Sequence, residues 1–272
     1  MPNRIGVCSW SVTRSSPRDL VDRLDEVGLR LVQLALDPIR TGQWDEDETR
    51  RALDSGGITI ASGMMAMAGE DYSTLDSIRL TGGVRPDEHW EANLGAARAN
   101  ADIAVRLGIE LVTFHAGFLP HEPGNALRAT MIQRLGWIAD AFADRGVAVA
   151  LETGQERAET LMVVLDELGR PDVGVNFDPG NMILYAMGDP VATLERLAPR
   201  VRQIHVKDAL TASEPGTWGR EVRIGDGGVD WAAFFAVIGR AGLGCDLVIE
   251  REAGADRAGD IRAAADLVRS YL

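Results

Sequence analysis

Four apolar segments in the second half of the chain each end in a residue that can bind a metal ion. These residues are Glu152, Asp178, His205 and Glu250. The sharpest case is Val173-Gly-Val-Asn-Phe-Asp178-Pro-Gly-Asn181, in which Pro179 removes a strand donor and Gly180 supplies turn freedom. A carboxylate at the tip of a buried strand costs stability unless it has a partner. The repeated pattern therefore predicts a chemical site.

Three carboxylates and one imidazole define the chemistry of that site. Carboxylates held close together raise one another's pKa, and a divalent cation is the simplest compensation. Three oxygen donors with one nitrogen suit Mn²⁺ first, with Mg²⁺, Co²⁺, Fe²⁺ and Zn²⁺ as alternatives. The structural alternative is that each residue pairs with a Lys or Arg at the end of its strand. Matched positions on four successive strands favour the metal.

The rest of the chain repeats one unit, an apolar strand followed by a helix. Eight such units predict a single (β/α)₈ barrel over residues 1–272, whose strand ends converge on one mouth. The competing fold is an open doubly wound sheet, which normally carries a Gly-rich phosphate turn after its first strand; residues 5–10 are not followed by one. Residues 68–86 and 209–228 lack periodicity and are predicted to be long loops.

The composition of the chain limits the classes of partner that we expect it to bind. The 272 residues carry a net charge of −13, which disfavours nucleic-acid binding. No apolar run approaches the roughly 18–20 residues of a membrane span, and no signal peptide is visible, so we expect a cytoplasmic protein without a membrane partner. Cys8 and Cys245 lie in separate apolar runs and are interpreted as buried, reduced thiols. A homodimer or homotetramer is compatible with this composition.

The motifs at the strand ends resemble those of the xylose isomerase-like barrels, specifically the sugar phosphate isomerase/epimerase group. That group includes ketose 3-epimerases, hydroxypyruvate isomerases and inosose dehydratases. The resemblance covers the predicted strands four to eight. It rests on His115-Ala-Gly, Glu152-Thr-Gly, Asn176-Phe-Asp178-Pro-Gly-Asn181, His205-Val-Lys207-Asp208, Gly225-Asp-Gly-Gly-Val-Asp230-Trp231 and Glu250-Arg-Glu252.

The resemblance implies an enzyme that acts on a small sugar or keto-sugar. It implies that Glu152, Asp178, His205 and Glu250 hold one divalent ion, and that Glu152 and Glu250 also act as acid and base on opposite faces of the substrate. A metal that chelates a ketone and the adjacent hydroxyl stabilises the enediolate formed by proton loss. Proton return then gives epimerisation or isomerisation, and loss of a β-oxygen gives elimination.

Five further residues are candidates for substrate binding. They are Trp10, His115, Glu156, Asn181 and Lys207. Four of them have a structural alternative: packing for Trp10, a hydrogen bond for His115, a favourable acid at a helix start for Glu156, and an ion pair with Asp208 for Lys207.

Three positions depart from the better-known epimerases. Asn181 stands where they have a histidine, Lys207 precedes the position of their arginine, and Gln33 replaces a frequent carboxylate. The substrate is therefore not copied from any one relative.

Three alternative functions remain at this stage. The first is a metal-dependent lyase or dehydratase acting on a keto-inositol or 3-keto-glycoside. The second is a phosphodiesterase like endonuclease IV, which needs more histidines than the four in this chain. The third is a non-catalytic sugar-binding barrel, against which the two intact glutamates argue.

Overall fold

Eight parallel strands close into a barrel in the computed structural model, which describes residues 3–13, 15–214 and 216–272. In chain order the barrel strands are β1 (Ile5–Cys8), β2 (Leu31–Ala35), β3 (Thr59–Met64), β4 (Leu111–Phe114), β5 (Ala148–Glu152), β6 (Val173–Phe177), β7 (Val201–Val206) and β10 (Asp246–Ile249). Strand β1 pairs with both β2 and β10, which closes the barrel. The predicted (β/α)₈ barrel is confirmed.

Helices follow the strands and cover the outside of the barrel. They are α1 (Ser9–Val12), α2 (Pro17–Val27), α3 (Asp37–Arg40), α4 (Glu46–Ser55), α5 (Leu75–Thr81), α6 (Asp87–Arg106), α7 (Ala126–Ala143), α8 (Ala158–Leu168), α9 (Pro179–Leu184), α10 (Pro190–Leu197), α11 (Trp231–Ala241) and α12 (Arg257–Arg269). Capping side chains begin several of them, as when Ser16 accepts a hydrogen bond from the Asp19 amide. Within the described residues, no helix combines the length and apolar character needed to cross a membrane.

The prediction of two long loops, over residues 68–86 and 209–228, is wrong. Residues 68–86 contain α5, which begins with a capping box formed by Thr74 and Ser77. Residues 209–228 overlap an antiparallel hairpin of β8 (Asp208–Leu210) and β9 (Arg220–Val222). A helix of seven residues and strands of three are too short to show a periodicity in sequence.

One buried carboxylate organises the segment after that hairpin. Asp208 accepts hydrogen bonds from the backbone amides of Gly225, Gly227 and Val229 and from the indole nitrogen of Trp231. A Cβ atom on Gly227 would lie 2.0 Å from Asp208 Oδ1, so no other residue fits there. These hydrogen bonds join the motif His205-Val-Lys-Asp208 to the motif Gly225-Asp-Gly-Gly, and their role is structural.

The barrel interior contains a layer of neutral polar side chains beneath the strand ends. Its members, called the polar layer below, are Gln33, Ser62, Thr113, Asn176 and Gln203, and all are buried. They bond to one another: Ser62 Oγ donates to Gln203 Oε1 at 2.6 Å, and Gln33 Nε2 donates to Thr113 Oγ1 at 2.8 Å. Satisfied buried networks of this kind hold their members in fixed orientations. The polar layer therefore forms an ordered floor for the barrel mouth.

Candidate metal centre and active site

The four residues identified at the strand ends meet at the barrel mouth. Glu152 ends β5, Asp178 follows β6, His205 lies in β7 and Glu250 follows β10. One potential ligand atom from each lies within 4.8 Å of those of the other three. The strands are contiguous in the order β10, β7, β6, β5, which is why residues far apart in sequence converge.

His205 presents one ring nitrogen to the carboxylates. Its Nε2 lies 2.7 Å from Gln33 Oε1, which is an acceptor, and 3.0 Å from Asn176 Nδ2, which is a donor. Its Nδ1 faces Glu152, Asp178 and Glu250, whose nearest oxygens lie 3.4, 3.5 and 3.4 Å away. Within the described part of the chain, neither Nδ1 nor Asp178 Oδ2 has a hydrogen-bond partner. Two buried ligand atoms that point at one spot fit a cation.

The electrostatics of the cluster also favour a positive charge. Burial lowers the pKa of the His205 imidazole, but Cys8, Glu152 and Glu250 outweigh it and raise that pKa well above its ordinary value. Burial raises the pKa of Asp178 to about 6. The cluster therefore draws in a proton when no other cation compensates it, and a divalent ion serves the same purpose.

The two glutamates differ from the aspartate in their pKa. Burial raises the pKa of Glu250, but Lys207 and His205 outweigh it and hold that pKa well below its usual range. Burial likewise raises the pKa of Glu152, and His115 and His205 reverse the effect and lower it. Both glutamates are therefore carboxylates at neutral pH, ready to accept a proton.

A cavity of about 560 Å³ opens over the cluster and reaches only part of it. Glu152 and Glu250 line this cavity, called the first cavity below. Asp178 and His205 are not part of its lining and have no exposed surface. A ligand in the cavity can therefore contact both glutamates, while the aspartate and histidine lie behind them.

Four of the five predicted substrate-binding residues line the first cavity: Trp10, His115, Asn181 and Lys207. Trp10 Nε1 donates to Glu250 Oε1 at 2.7 Å, and Lys207 Nζ donates to Glu250 Oε2 at 2.9 Å. Asn181 Nδ2 donates to Glu152 Oε1 at 2.9 Å, and His115 Nε2 lies 3.6 Å from the same oxygen. Each glutamate is thus held by two of these side chains.

Glu156 is the exception. It is 3% exposed and does not belong to the lining of the first cavity. Its Oε1 has no hydrogen-bond partner among the residues described, and burial raises its pKa to about 8. Its assignment to the substrate stays a prediction.

The local chain path explains how Asn181 and Lys207 reach the glutamates. Asp178 caps α9 by accepting the Asn181 amide, which places Asn181 in the first turn of that helix. A Cβ atom on Gly154 would lie 2.5 Å from Asn181 Cβ, and Gly154 has a φ of 133°, so glycine is required for this approach.

The alternative that Lys207 pairs with Asp208 is wrong, because Asp208 binds backbone amides instead.

The pattern of strand ends does not identify several residues that line the first cavity. They are Glu70, Tyr72, Tyr185, Trp218, Glu221 and Glu252. Glu70 lies in the segment before α5 and accepts the Gly83 amide at 3.0 Å. Glu221 lies on β9 and accepts from Arg251 Nη1 at 2.6 Å. Their signal was weak, since a single acid or aromatic in an irregular stretch is common.

Known proteins share this architecture. The family model described as xylose isomerase-like TIM barrel matches residues 21–271. The crystal structure of a xylose isomerase domain protein from Planctomyces limnophilus superimposes with a TM-score of 0.84 at 31% identity, covering 90% of this chain and 89% of that one.

Two curated relatives have lower identity. The ketose 3-epimerase of Arthrobacter globiformis is 26% identical over 243 residues, which is 85% of this chain and 75% of that protein. Escherichia coli YihM is 26% identical over 141 residues, which cover 51% of this chain and only 43% of YihM.

The chain therefore belongs to the xylose isomerase-like TIM barrel family. Its known relatives include an enzyme that epimerises ketoses.

Proposed function

We propose that this chain is a divalent-metal-dependent isomerase or epimerase of a small ketose or keto-sugar. The observation that supports this most is the division within the cluster. Only Glu152 and Glu250 line the first cavity, and their strands are separated by β6 and β7 around the barrel. Two carboxylates that reach a substrate from different sides are what proton transfer between its two faces requires.

Glu152, Asp178, His205 and Glu250 are the residues that would hold the ion, and their donors suit Mn²⁺. A divalent ion bound there would polarise the substrate carbonyl and stabilise negative charge on neighbouring oxygens. Asp178 and His205 are buried, and the polar layer contacts His205 through Gln33 and Asn176. We therefore assign these two residues to holding the ion alone.

We assign the role of base to Glu250. Trp10 and Lys207 fix its two oxygens, and the neighbouring positive charge keeps it ionised. Glu250 takes the proton from the carbon beside the carbonyl, and the C–H electron pair becomes the double bond of the enediolate. The carbonyl oxygen receives the negative charge.

Glu152 returns a proton to the opposite face. For this it must first gain one, and His115 stands 3.6 Å away with a side chain that is 14% exposed. His115 can therefore pass a proton from the cavity to Glu152. Proton return to the same carbon inverts its configuration, and return to the neighbouring carbon converts a ketose into an aldose.

Elimination is a second candidate, and Lys207 favours it. Its ammonium is buried beside Glu250, and although burial lowers its pKa, Glu250 and Asp178 outweigh that effect and raise it well above the ordinary value. From the same enediolate, the electron pair can expel an oxygen substituent on the β-carbon. The proton that Glu250 took would then pass to the departing oxygen, to which the Lys207 ammonium would donate a hydrogen bond, giving an enone and an alcohol or water.

Incubation of the metal-loaded protein with a panel of ketoses and keto-sugars in D₂O separates these outcomes. We expect deuterium at the carbon next to the carbonyl together with a new epimer or aldose, detected by NMR and mass spectrometry. An enone with a released alcohol would indicate the lyase. If wild-type protein exchanged no proton in any sugar of the panel, or if Glu152→Gln formed the new epimer or aldose at the wild-type rate, the proposed function would be wrong.

A further inference from the structure

The first cavity has an anionic lining. Its described lining contains five carboxylates and one ammonium, which are Glu70, Glu152, Glu221, Glu250, Glu252 and Lys207. Lys207 is already shared between Glu250 and Glu252, at 2.9 and 3.3 Å. Arg251 pairs with Glu221 at 2.6 Å, and a divalent ion would compensate two further charges. Phosphate and carboxylate ligands are normally bound by arginines, lysines or free backbone amides, so this lining favours an uncharged substrate.

A second cavity of about 400 Å³ adjoins the first. The two share Trp10, Met64 and Ala66 as lining residues, so they lie side by side at the barrel mouth. Each volume by itself lies in the range of small-molecule sites, roughly 300–1,000 Å³. A single small sugar that contacts both glutamates does not fill both cavities.

The second cavity has a neutral wall. Pro38 and Trp44 continue its apolar surface, and Thr41 and Gln43 add uncharged polar groups. Asp37 is the one charged residue in its described lining.

That carboxylate is already engaged. Asp37 Oδ2 accepts the Ala66 amide at 2.7 Å, and Oδ1 accepts from Arg40 at 2.8 Å and from Asn100 at 3.3 Å. The second cavity therefore offers apolar and hydroxyl-bearing surface to its occupant, with little net charge.

Trp10 connects the two cavities to the chemistry. Its side chain lines both, and its indole N–H donates to Glu250 Oε1 at 2.7 Å. Aromatic side chains pack well against the apolar faces of rings while their polar edge hydrogen-bonds. An occupant of the second cavity would thus contact the same side chain that positions the proposed base.

We propose that the natural substrate is an uncharged glycoside: its keto-sugar unit occupies the first cavity and its second unit, joined through the glycosidic oxygen, occupies the second cavity against Trp10 and Met64. This assignment rests on the proposed function, because it names the substrate of the same site. It excludes sugar phosphates as the preferred substrates.

The test compares three matched substrates in D₂O with the metal-loaded full chain. They are a free 3-keto-hexose, its 6-phosphate and its glycoside with a second hexose. We expect kcat/KM for proton exchange or turnover to be at least about tenfold higher for the glycoside than for the free sugar, and lower for the phosphate than for both.

Preference for the phosphate, or equal rates for glycoside and free sugar, would overturn this inference and leave the proposed function standing. Absence of reaction with all three and with the wider ketose panel would overturn both.

A pair of variants locates the second unit. Thr41→Trp places bulk in the second cavity, and we expect it to reduce the ratio of glycoside to free-sugar kcat/KM at least about fivefold. Trp10→Phe keeps an aromatic wall but removes the donor to Glu250, so kcat should fall for both substrates while their ratio changes little. Because the readout is a ratio, partial loss of folded protein does not imitate the result. An unchanged ratio in Thr41→Trp would contradict the placement.

Discussion

The two sides of the barrel mouth have different compositions. Strands β5, β6, β7 and β10 supply all four members of the metal-ligand cluster. Strands β1 to β4 supply none of them, and instead contribute neutral groups such as Gln33 and Thr113 and apolar walls such as Met64. One side therefore carries charge for the reaction, and the other supports that charge and shapes the space for the substrate.

This difference shows which functional residues can be recognised from the sequence of such a chain. The charged side is conspicuous because every acid at a strand tip needs a partner. The neutral side acts through orientation and shape: Gln33 on β2 reaches across the barrel to contact the ring of His205 on β7. Substitutions on the charged side should reduce the reaction rate, and substitutions on the neutral side should weaken metal binding.

The largest effect is expected on the charged side. Glu152→Gln and Glu250→Gln should each reduce kcat for formation of the epimer or aldose about 10³-fold, since each removes a group that moves a proton. Rates of product formation from the best substrate of the panel measure this. Glu252→Gln is the matched comparison, because it lines the same cavity outside the cluster, and should lose less than about tenfold. Equal losses in all three variants would contradict the assignment.

A smaller effect is expected from the neutral side. Gln33→Leu removes the acceptor that orients His205, and metal affinity should fall about 10–100-fold. Ser62→Ala is the control, because Ser62 belongs to the same polar layer but bonds to Gln203. Metal titration by calorimetry distinguishes them. If both variants bound the ion equally weakly, general loosening of the barrel would explain the result better than orientation of His205.

The smallest effect on catalysis is expected at Glu156, where the consequence is for stability. Its folded-state pKa is raised from 4.5 to about 8, so the folded protein holds the proton more tightly than the unfolded chain. Stability from this group is full below pH about 4.5 and falls as the pH rises toward 8, by on the order of 3 kcal/mol at pH 7.

Glu156→Gln removes that dependence. The variant should gain free energy of unfolding relative to wild type at pH 8 and little at pH 5, as measured by urea denaturation. KM should change less than about twofold, because the side chain does not line the cavity. A large rise in KM with an unchanged pH profile would support the predicted contact of Glu156 with the substrate.

The sequence predicted the barrel and the convergence of four strand ends, because both follow from simple regularities. Alternating apolar strands and helices specify the fold, and parallel strands in a closed barrel bring their ends together. The residues that complete the cavity were harder to find. Glu221 sits on a hairpin strand of three residues, and Glu70 lies in a segment without periodicity.

The polar layer did leave a signal in the sequence. Gln33, Thr113 and Asn176 each interrupt an otherwise apolar strand, but only the structure shows that they meet. At Asp208 the sequence is misleading, because its position next to Lys207 suggests an ion pair. Its role in binding backbone amides depends on a turn that forms 17 to 21 residues later.

The most direct test of the metal centre is the ion content of protein prepared without chelator. Inductively coupled plasma mass spectrometry should find about one divalent ion per chain in wild type, and less than about a tenth of that in Asp178→Asn and in His205→Asn. Both variants remove a ligand that lies behind the cavity, so the result does not depend on which sugar is the substrate. Wild-type protein without a divalent ion, or variants that retain it fully, would contradict the account.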